Sequence, residues 1–185
     1  MAAGNGNATP SAARRGCKVV STDYACALLE RGREQLRAEH LDVAFQEAHA
    51  QALPFEDETF DAVLSTFGVM FTSDQKKAAS ELARVCRPKG RIGLTCWTPE
   101  GFVGQMLSTL RRSIALPKAA AKPSDWGVKG YLHQLFAHCS SEIRAIPRVF
   151  NFRYRSPEHF IDVFSRWYGP MQKASMHCPT IRSRS

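Results

Sequence analysis

Met1-Ala2-Ala3-Gly4-Asn5-Gly6-Asn7-Ala8-Thr9, followed by Ser11-Ala12-Ala13-Arg14-Arg15-Gly16 and then Cys17-Lys18-Val19-Val20-Ser21-Thr22-Asp23, is the stretch that decides the architecture. Its first part reads as a glycine-bearing turn entering a short helix that Gly16 stops. Its last part reads as a buried strand ending at Asp23. Glycine tolerates positive φ and brings backbone close to a ligand with no Cβ in the way, so Gly4-x-Gly6 predicts a cradle for a nucleotide-type cofactor. Asp23 lies 19 residues beyond Gly4, near the roughly 20-residue spacing at which an acidic strand end reaches a ribose hydroxyl pair. It equally suits the cap of a helix starting near Tyr24. A lone Gly-x-Gly is shared by many loops, so the rest of the chain must decide.

Alternation continues. Tyr24 to Glu39 carries a helical apolar stripe, Val43–Gln46 a strand, and Phe60–Thr66 a third strand after the loop Glu47 to Glu58. Ser73 to Cys86 predicts a helix with Ala78, Leu82 and Val85 on one face, stopped by Pro88 and Gly90, and Arg91–Trp97 the next strand. This order argues for an α/β fold, a mostly parallel sheet flanked by helices, whose ligands bind beyond the carboxyl ends of the strands. Asp23, His49, Thr66 and Trp97 fall at those ends.

Beyond Trp97 the regularity weakens. Thr98 caps an expected helix over Gly101–Ile114, Leu116 to Pro123 reads as a linker, and Val128–Ala137 as a further helix. The alternation from Glu142 to Tyr154 suggests a long or broken strand interrupted at Pro147. Ser156-Pro157-Glu158 opens a last helix with Phe160, Val163, Phe164 and Trp167 on its apolar face. No periodicity survives from about Ser175. The expectation is a single domain over residues 1–174, with 1–97 binding cofactor and 98–174 serving as lid or substrate wall, and a disordered tail over 175–185.

Composition bounds the function classes. The 185 residues are 44% apolar and 23% charged, ordinary for a globular domain. No apolar run nears the roughly 20 residues of a membrane span, and the start lacks a signal-peptide core, so a cytoplasmic protein is expected. The six cysteines, at 17, 26, 86, 96, 139 and 178, are scattered without a Cys-x-x-Cys and read as reduced thiols. His133, His138 and Cys139 form no convincing ligand set, so no metal is expected. Residues 1–85 hold nine Lys and Arg against twelve Asp and Glu, and residues 86–185 sixteen against five. The basic charges are dispersed, which argues for a solvated surface over a nucleic-acid stripe.

One ordered series then carries a resemblance: Ala3-Gly4-Asn5-Gly6, Thr22-Asp23, Ala50-Gln51-Ala52-Leu53-Pro54-Phe55, Phe60-Asp61-Ala62-Val63-Leu64-Ser65, and Leu82-Ala83-Arg84-Val85-Cys86-Arg87-Pro88-Lys89-Gly90-Arg91. Over roughly residues 2 to 170 the chain resembles class I S-adenosylmethionine-dependent methyltransferases, in the branch similar to ubiquinone and menaquinone biosynthesis enzymes. The resemblance implies a Rossmann-like sheet, S-adenosyl-L-methionine as cofactor and a small-molecule methyl acceptor. It places Ala3, Gly4, Asn5 and Gly6 beside the methionine part, Asp23 at the ribose, Tyr24 in the cofactor site, and Ala48, His49 and Ala50 at the adenine. Thr66 and Phe67 face the methionine portion, and Phe71 and Trp97 are substrate candidates beside a core-packing alternative. No catalytic residue is assigned, because attack on an activated sulfonium methyl needs positioning above all. His49 is kept only as a remote candidate for a base.

Three departures from the family pattern stand out. Its opening strand, which is central in the sheet, has no counterpart before Gly4, which leads to the expectation of a chain truncated there and lacking its last strand also. His49 stands where the family usually has an aspartate accepting from the adenine amino group; neutral imidazole accepts on one nitrogen only. An unpatterned tail replaces the final strand. A dinucleotide-dependent oxidoreductase shares the Gly4, Gly6 and Asp23 logic, but Thr9 stands where its third glycine would be. A non-catalytic basic binding module is the other alternative.

Overall fold

In the computed structural model, residues 1–113, 121–169 and 171–172 are described. The expected linker residues 116–120 and the expected tail lie outside them. The chain divides into two compact units: Met1–Trp97 with Ala121–Ile143, and a second containing residues 98–113 and 144–172 as far as described.

The first unit is built from two parallel crossovers. Strand β1 (Val20–Asp23), helix α2 (Cys26–Ala38) and strand β2 (Ala44–Glu47) make one, with Val20 opposite Ala44 and Asp23 opposite Glu47. Strand β3 (Phe60–Thr66), helix α3 (Gln75–Val85) and strand β4 (Cys86–Thr95) make the other. Helix α1 (Thr9–Ala13) precedes them, and Gly16 ends its turn at φ +75°. β1 and β3 do not pair with each other, so the sheet stands as two halves. Residues Met1–Ala3 hydrogen-bond to both: the Met1 amino group donates to the Leu64 carbonyl and the Ala3 N–H to the Thr22 carbonyl, each at 2.9 Å. The α/β class with parallel strands and flanking helices is thus the one expected.

The helices bury the faces their spacing predicts. Leu29, Gly32 and Leu36 of α2 are buried, three and four residues apart. Asp74 caps α3 by accepting from the Lys77 N–H at 2.9 Å, and Ala78, Leu82 and Val85 are fully enclosed. Each large side chain so enclosed contributes about 1.5 to 3 kcal/mol. Val69, Met70, Trp126, Leu135 and Phe136 complete this core, the last two from α5 (Lys129–Phe136).

The boundaries that differ most from expectation are the start of β1, at Val20 and not Cys17, and the junction of α3 with β4. α3 stops at Val85 and β4 begins at Cys86, ahead of the proline read as the stop. The strand then bulges: Phe60 pairs with Cys86 but Ala62 with Arg91, and the intervening residues loop out with Lys89 at φ +66°. A Cβ on Gly90 would sit 2.7 Å from the Cys86 Sγ and 2.9 Å from the Asp61 carbonyl oxygen, so the bulge needs glycine there.

In the second unit, Thr98 Oγ1 accepts from the Gly101 N–H at 3.2 Å ahead of α4 (Phe102–Ser113). Ser156 caps α6 (Pro157–Trp167) by accepting from the His159 N–H. The strand expected over 142–154 is not formed among the described residues. Its alternating aromatics pack on helices instead, Phe152 against Phe102 and Phe164, and Tyr154 against Phe160. Trp167, expected on the apolar face of α6, is 81% exposed, because Tyr168, four residues after Phe164, takes that face.

Glu81 and Arg84 of α3 together fasten the Pro54 loop. The Glu81 carboxylate, whose side chain is only 6% exposed, accepts from the Leu53 N–H at 2.7 Å and from Arg84 Nε and Nη2. Arg84 also donates to the carbonyls of Leu53 and Phe55 and to Asp57 Oδ1. Those Arg84 bonds hold the Glu81 carboxyl below its ordinary 4.5, against the opposing effect of burial. A carboxyl depressed in the folded state adds stability that is whole above pH 4.5 and is lost as pH falls through the depressed value. The stability difference between the wild type and Glu81→Gln is therefore expected to be constant from pH 7 to 5 and to shrink below pH 4.5. Urea unfolding across that range measures it.

Candidate functional site

The glycine turn forms at the carboxyl end of β1. Gly4 and Gly6 take φ +58° and +82°, the Gly6 N–H donates to the Ala3 carbonyl, and the Thr9 N–H donates to the Gly6 carbonyl. A Cβ on Gly4 would meet no atom within 4 Å, so the turn presents bare backbone to open space. Asn5 follows with its carbonyl against α2: a Cβ on Gly32 would lie 2.9 Å from that oxygen. Gly68 plays the same part at the end of β3, where a Cβ would lie 2.0 Å from the Ala2 carbonyl oxygen. Sequence reading missed both glycines; an isolated glycine inside an otherwise regular helix was the available signal for Gly32.

Asp23 is the centre of this arrangement. It is 5% exposed, its Oδ2 accepts from the Gly4 N–H at 2.8 Å, and its Oδ1 from the Ala25 N–H at 3.0 Å. It does not cap α2: that helix starts at Cys26 with Ala25 in the cap position. Two carboxylate oxygens offer about four acceptor positions, so two remain beyond the backbone bonds.

An open cavity of about 600 Å³ lies beside it, lined by Tyr24, Gln46, Glu47, Ala48, His49, Ala52 and Pro54. Of the residues expected at the cofactor, Tyr24, Ala48 and His49 line the cavity. Ala50 is buried and does not line the cavity, whereas Gln46, Glu47, Ala52 and Pro54 do so without having been expected. The Ala48 N–H donates to the Asp23 carbonyl at 3.0 Å, which ties the cavity floor to β1. The Tyr24 ring, 70% exposed, tilts over His49 with centroids 6.1 Å apart. The Cys26 thiol donates to the Glu47 carboxylate, a bond that raises its pKa.

Thr66 ends β3, and Phe67 follows it at φ +60°, stacked on Trp97 at 4.3 Å and 14° between planes. Packing therefore occupies one face of each ring. Phe71, in a single 3₁₀ turn after Gly68, is 44% exposed and is not core.

A bare glycine turn, a buried carboxylate with spare acceptor positions and an adjoining half-polar cavity fit an adenosyl cofactor: backbone for its amino-acid arm, Asp23 for its ribose, the cavity for its base. The comparisons give the family. A family described as a methyltransferase domain matches residues 1–94. An uncharacterized protein of Mycobacterium tuberculosis is 40% identical over 179 residues, covering 96% of this chain and 65% of its own length. A demethylmenaquinone methyltransferase of Clavibacter sepedonicus is 40% identical over 92 residues, 50% of this chain and 37% of that protein. A geranyl diphosphate methyltransferase solved with its diphosphate and sinefungin superposes with a TM-score of 0.50 at 27% identity, covering 59% of this chain and 42% of that one.

The chain belongs to the methyltransferase-domain family, in the class I S-adenosylmethionine-dependent fold. It spans about two thirds, 65%, of the length of the mycobacterial relative. Among the described residues no helix is long and apolar enough to cross a membrane.

Proposed function

We propose that the chain binds S-adenosyl-L-methionine and directs its methyl group to a small-molecule acceptor. The observation that carries this reading is Asp23, a buried carboxylate fixed by the Gly4 and Ala25 N–H groups with acceptor capacity left over. In this reading the cofactor supplies an electrophilic methyl already activated by a sulfonium. The residues of the chain supply place and field. Asp23 accepts from the ribose hydroxyls, the backbone of Ala3 to Gly6 lies along the amino-acid arm, and Tyr24, Ala48 and His49 border the base. Thr66 and Phe67 line the approach to the methyl group, with Phe67 held by its stack on Trp97. Phe71 offers an exposed ring to an acceptor. Ala50, buried in the same turn, belongs to the base-binding loop.

Calorimetry with S-adenosylhomocysteine tests the reading, with NADH titrated in parallel. One-to-one binding of the first in the micromolar range and none of the second is the expected result. Saturable NADH binding without a response to S-adenosylhomocysteine would sink it in favour of an oxidoreductase-like site.

A further inference from the structure

His49 opens a tight turn: the Ala52 N–H donates to the His49 carbonyl at 2.9 Å, and the two residues form an isolated antiparallel bridge. Within that turn the Gln51 N–H donates to His49 Nδ1 at 3.2 Å. The imidazole thus does what an aspartate does in an Asx turn, accepting the N–H two residues on. The two side chains differ in what they have left. Aspartate closes such a turn with one oxygen and keeps the other as an acceptor. Neutral imidazole has a single acceptor nitrogen, and here the turn uses it, so Nε2 must carry the proton and can only donate. No described residue takes that donor, and His49 borders the cavity beside Tyr24 and Ala48.

We infer that His49 is a specificity-determining residue that reads the purine edge of the bound ligand as a hydrogen-bond donor, through Nε2–H. This rests on the reading of the cavity as the adenosyl site. A donor pairs with ring N1 of adenine or with the keto oxygen of a 6-oxopurine, and it cannot pair with the 6-amino group. An aspartate at this position has the opposite preference, because its free oxygen accepts from the amino group and repels a keto oxygen. The site as built therefore tolerates a 6-oxopurine, and a single substitution reverses that tolerance.

Two measurements test this on the full chain at pH 8. Long-range ¹H–¹⁵N correlation of the ligand-free protein is expected to show the Nε2–H tautomer at His49; an Nδ1–H tautomer overturns the inference without any ligand present. Calorimetry then compares S-adenosylhomocysteine with S-inosylhomocysteine on the wild type and on His49→Asp, a change the turn accommodates. The wild type is expected to bind the inosyl compound at least as tightly as the adenosyl one. His49→Asp is expected to move the ratio about tenfold toward the adenosyl compound, the range of one gained and one opposed hydrogen bond. Binding with an unmoved ratio removes the inference alone, while failure of both compounds to bind the wild type removes the adenosyl reading of the cavity as well.

Discussion

Arg84→Ala is expected to destabilise the first unit by about 3 kcal/mol, the range for breaking one side of a mostly buried ion pair. The loss has two sources. Glu81, with its side chain 6% exposed, keeps its charge but loses both guanidinium bonds and retains only the Leu53 N–H. The Leu53 and Phe55 carbonyls lose their donor at the same time, so the loop around Pro54 stays on α3 through the Leu53 N–H bond to Glu81 without its guanidinium clamp. Arg84→Lys should recover less than half, since an ammonium cannot reach the carboxylate and two carbonyls in one plane as a guanidinium does. Urea unfolding measures both variants. A cost under 1 kcal/mol for Arg84→Ala would show that the guanidinium contributes little to holding the loop. Combining Arg84→Ala with Glu81→Gln should cost less than the two single losses together, because the uncompensated charge is then gone.

Asp23→Asn is expected to weaken S-adenosylhomocysteine binding on the order of 100-fold, with a smaller stability loss of about 1 to 2 kcal/mol. The substituted amide keeps one oxygen and turns the other acceptor into a donor. Either Gly4 or Ala25 then faces a donor across 2.8 to 3.0 Å. The proposed ribose bonds lose both the charge and half the acceptor positions, and charge-assisted bonds are the stronger kind. Calorimetry gives the affinity and thermal unfolding the stability. An affinity within threefold of wild type, in a variant that still folds, would mean that Asp23 serves the turn and not the ligand.

Much of this was legible in the residues because it is local. Glycines at positions 4 and 6, the apolar strand before Asp23, and the spacing of Ala78, Leu82 and Val85 each encode their outcome within a few positions. Arg84 and the Leu53-Pro54-Phe55 run were visible as parts of one ordered series, but the reason they go together is a contact across 31 residues, and no periodicity reports that. Gly32 and Gly68 were missed for the same cause: each makes room for a backbone oxygen of the N-terminal segment far away in sequence. The β4 boundary was misread because proline is a sound stop signal for a helix, whereas here it sits in a bulge the strand can carry. The aromatic alternation at 150–154 has a strand's period and is spent on helix packing instead. For His49, residue type alone left open which nitrogen is engaged within the chain; the turn takes Nδ1.

The division of the sheet bears on how this chain acquires its structure. Each half closes over one short crossover, β1 to β2 through α2 and β3 to β4 through α3, so strand pairing within a half bridges few residues. Loop-closure entropy at each step is correspondingly modest, and either half can nucleate without waiting for the other. The bonds from Met1 to β3 and from Ala3 to β1 are what the N-terminal segment adds between the two halves. The glycine turn begins directly after those bonds, so the shape of the cofactor cradle depends on both halves being in place.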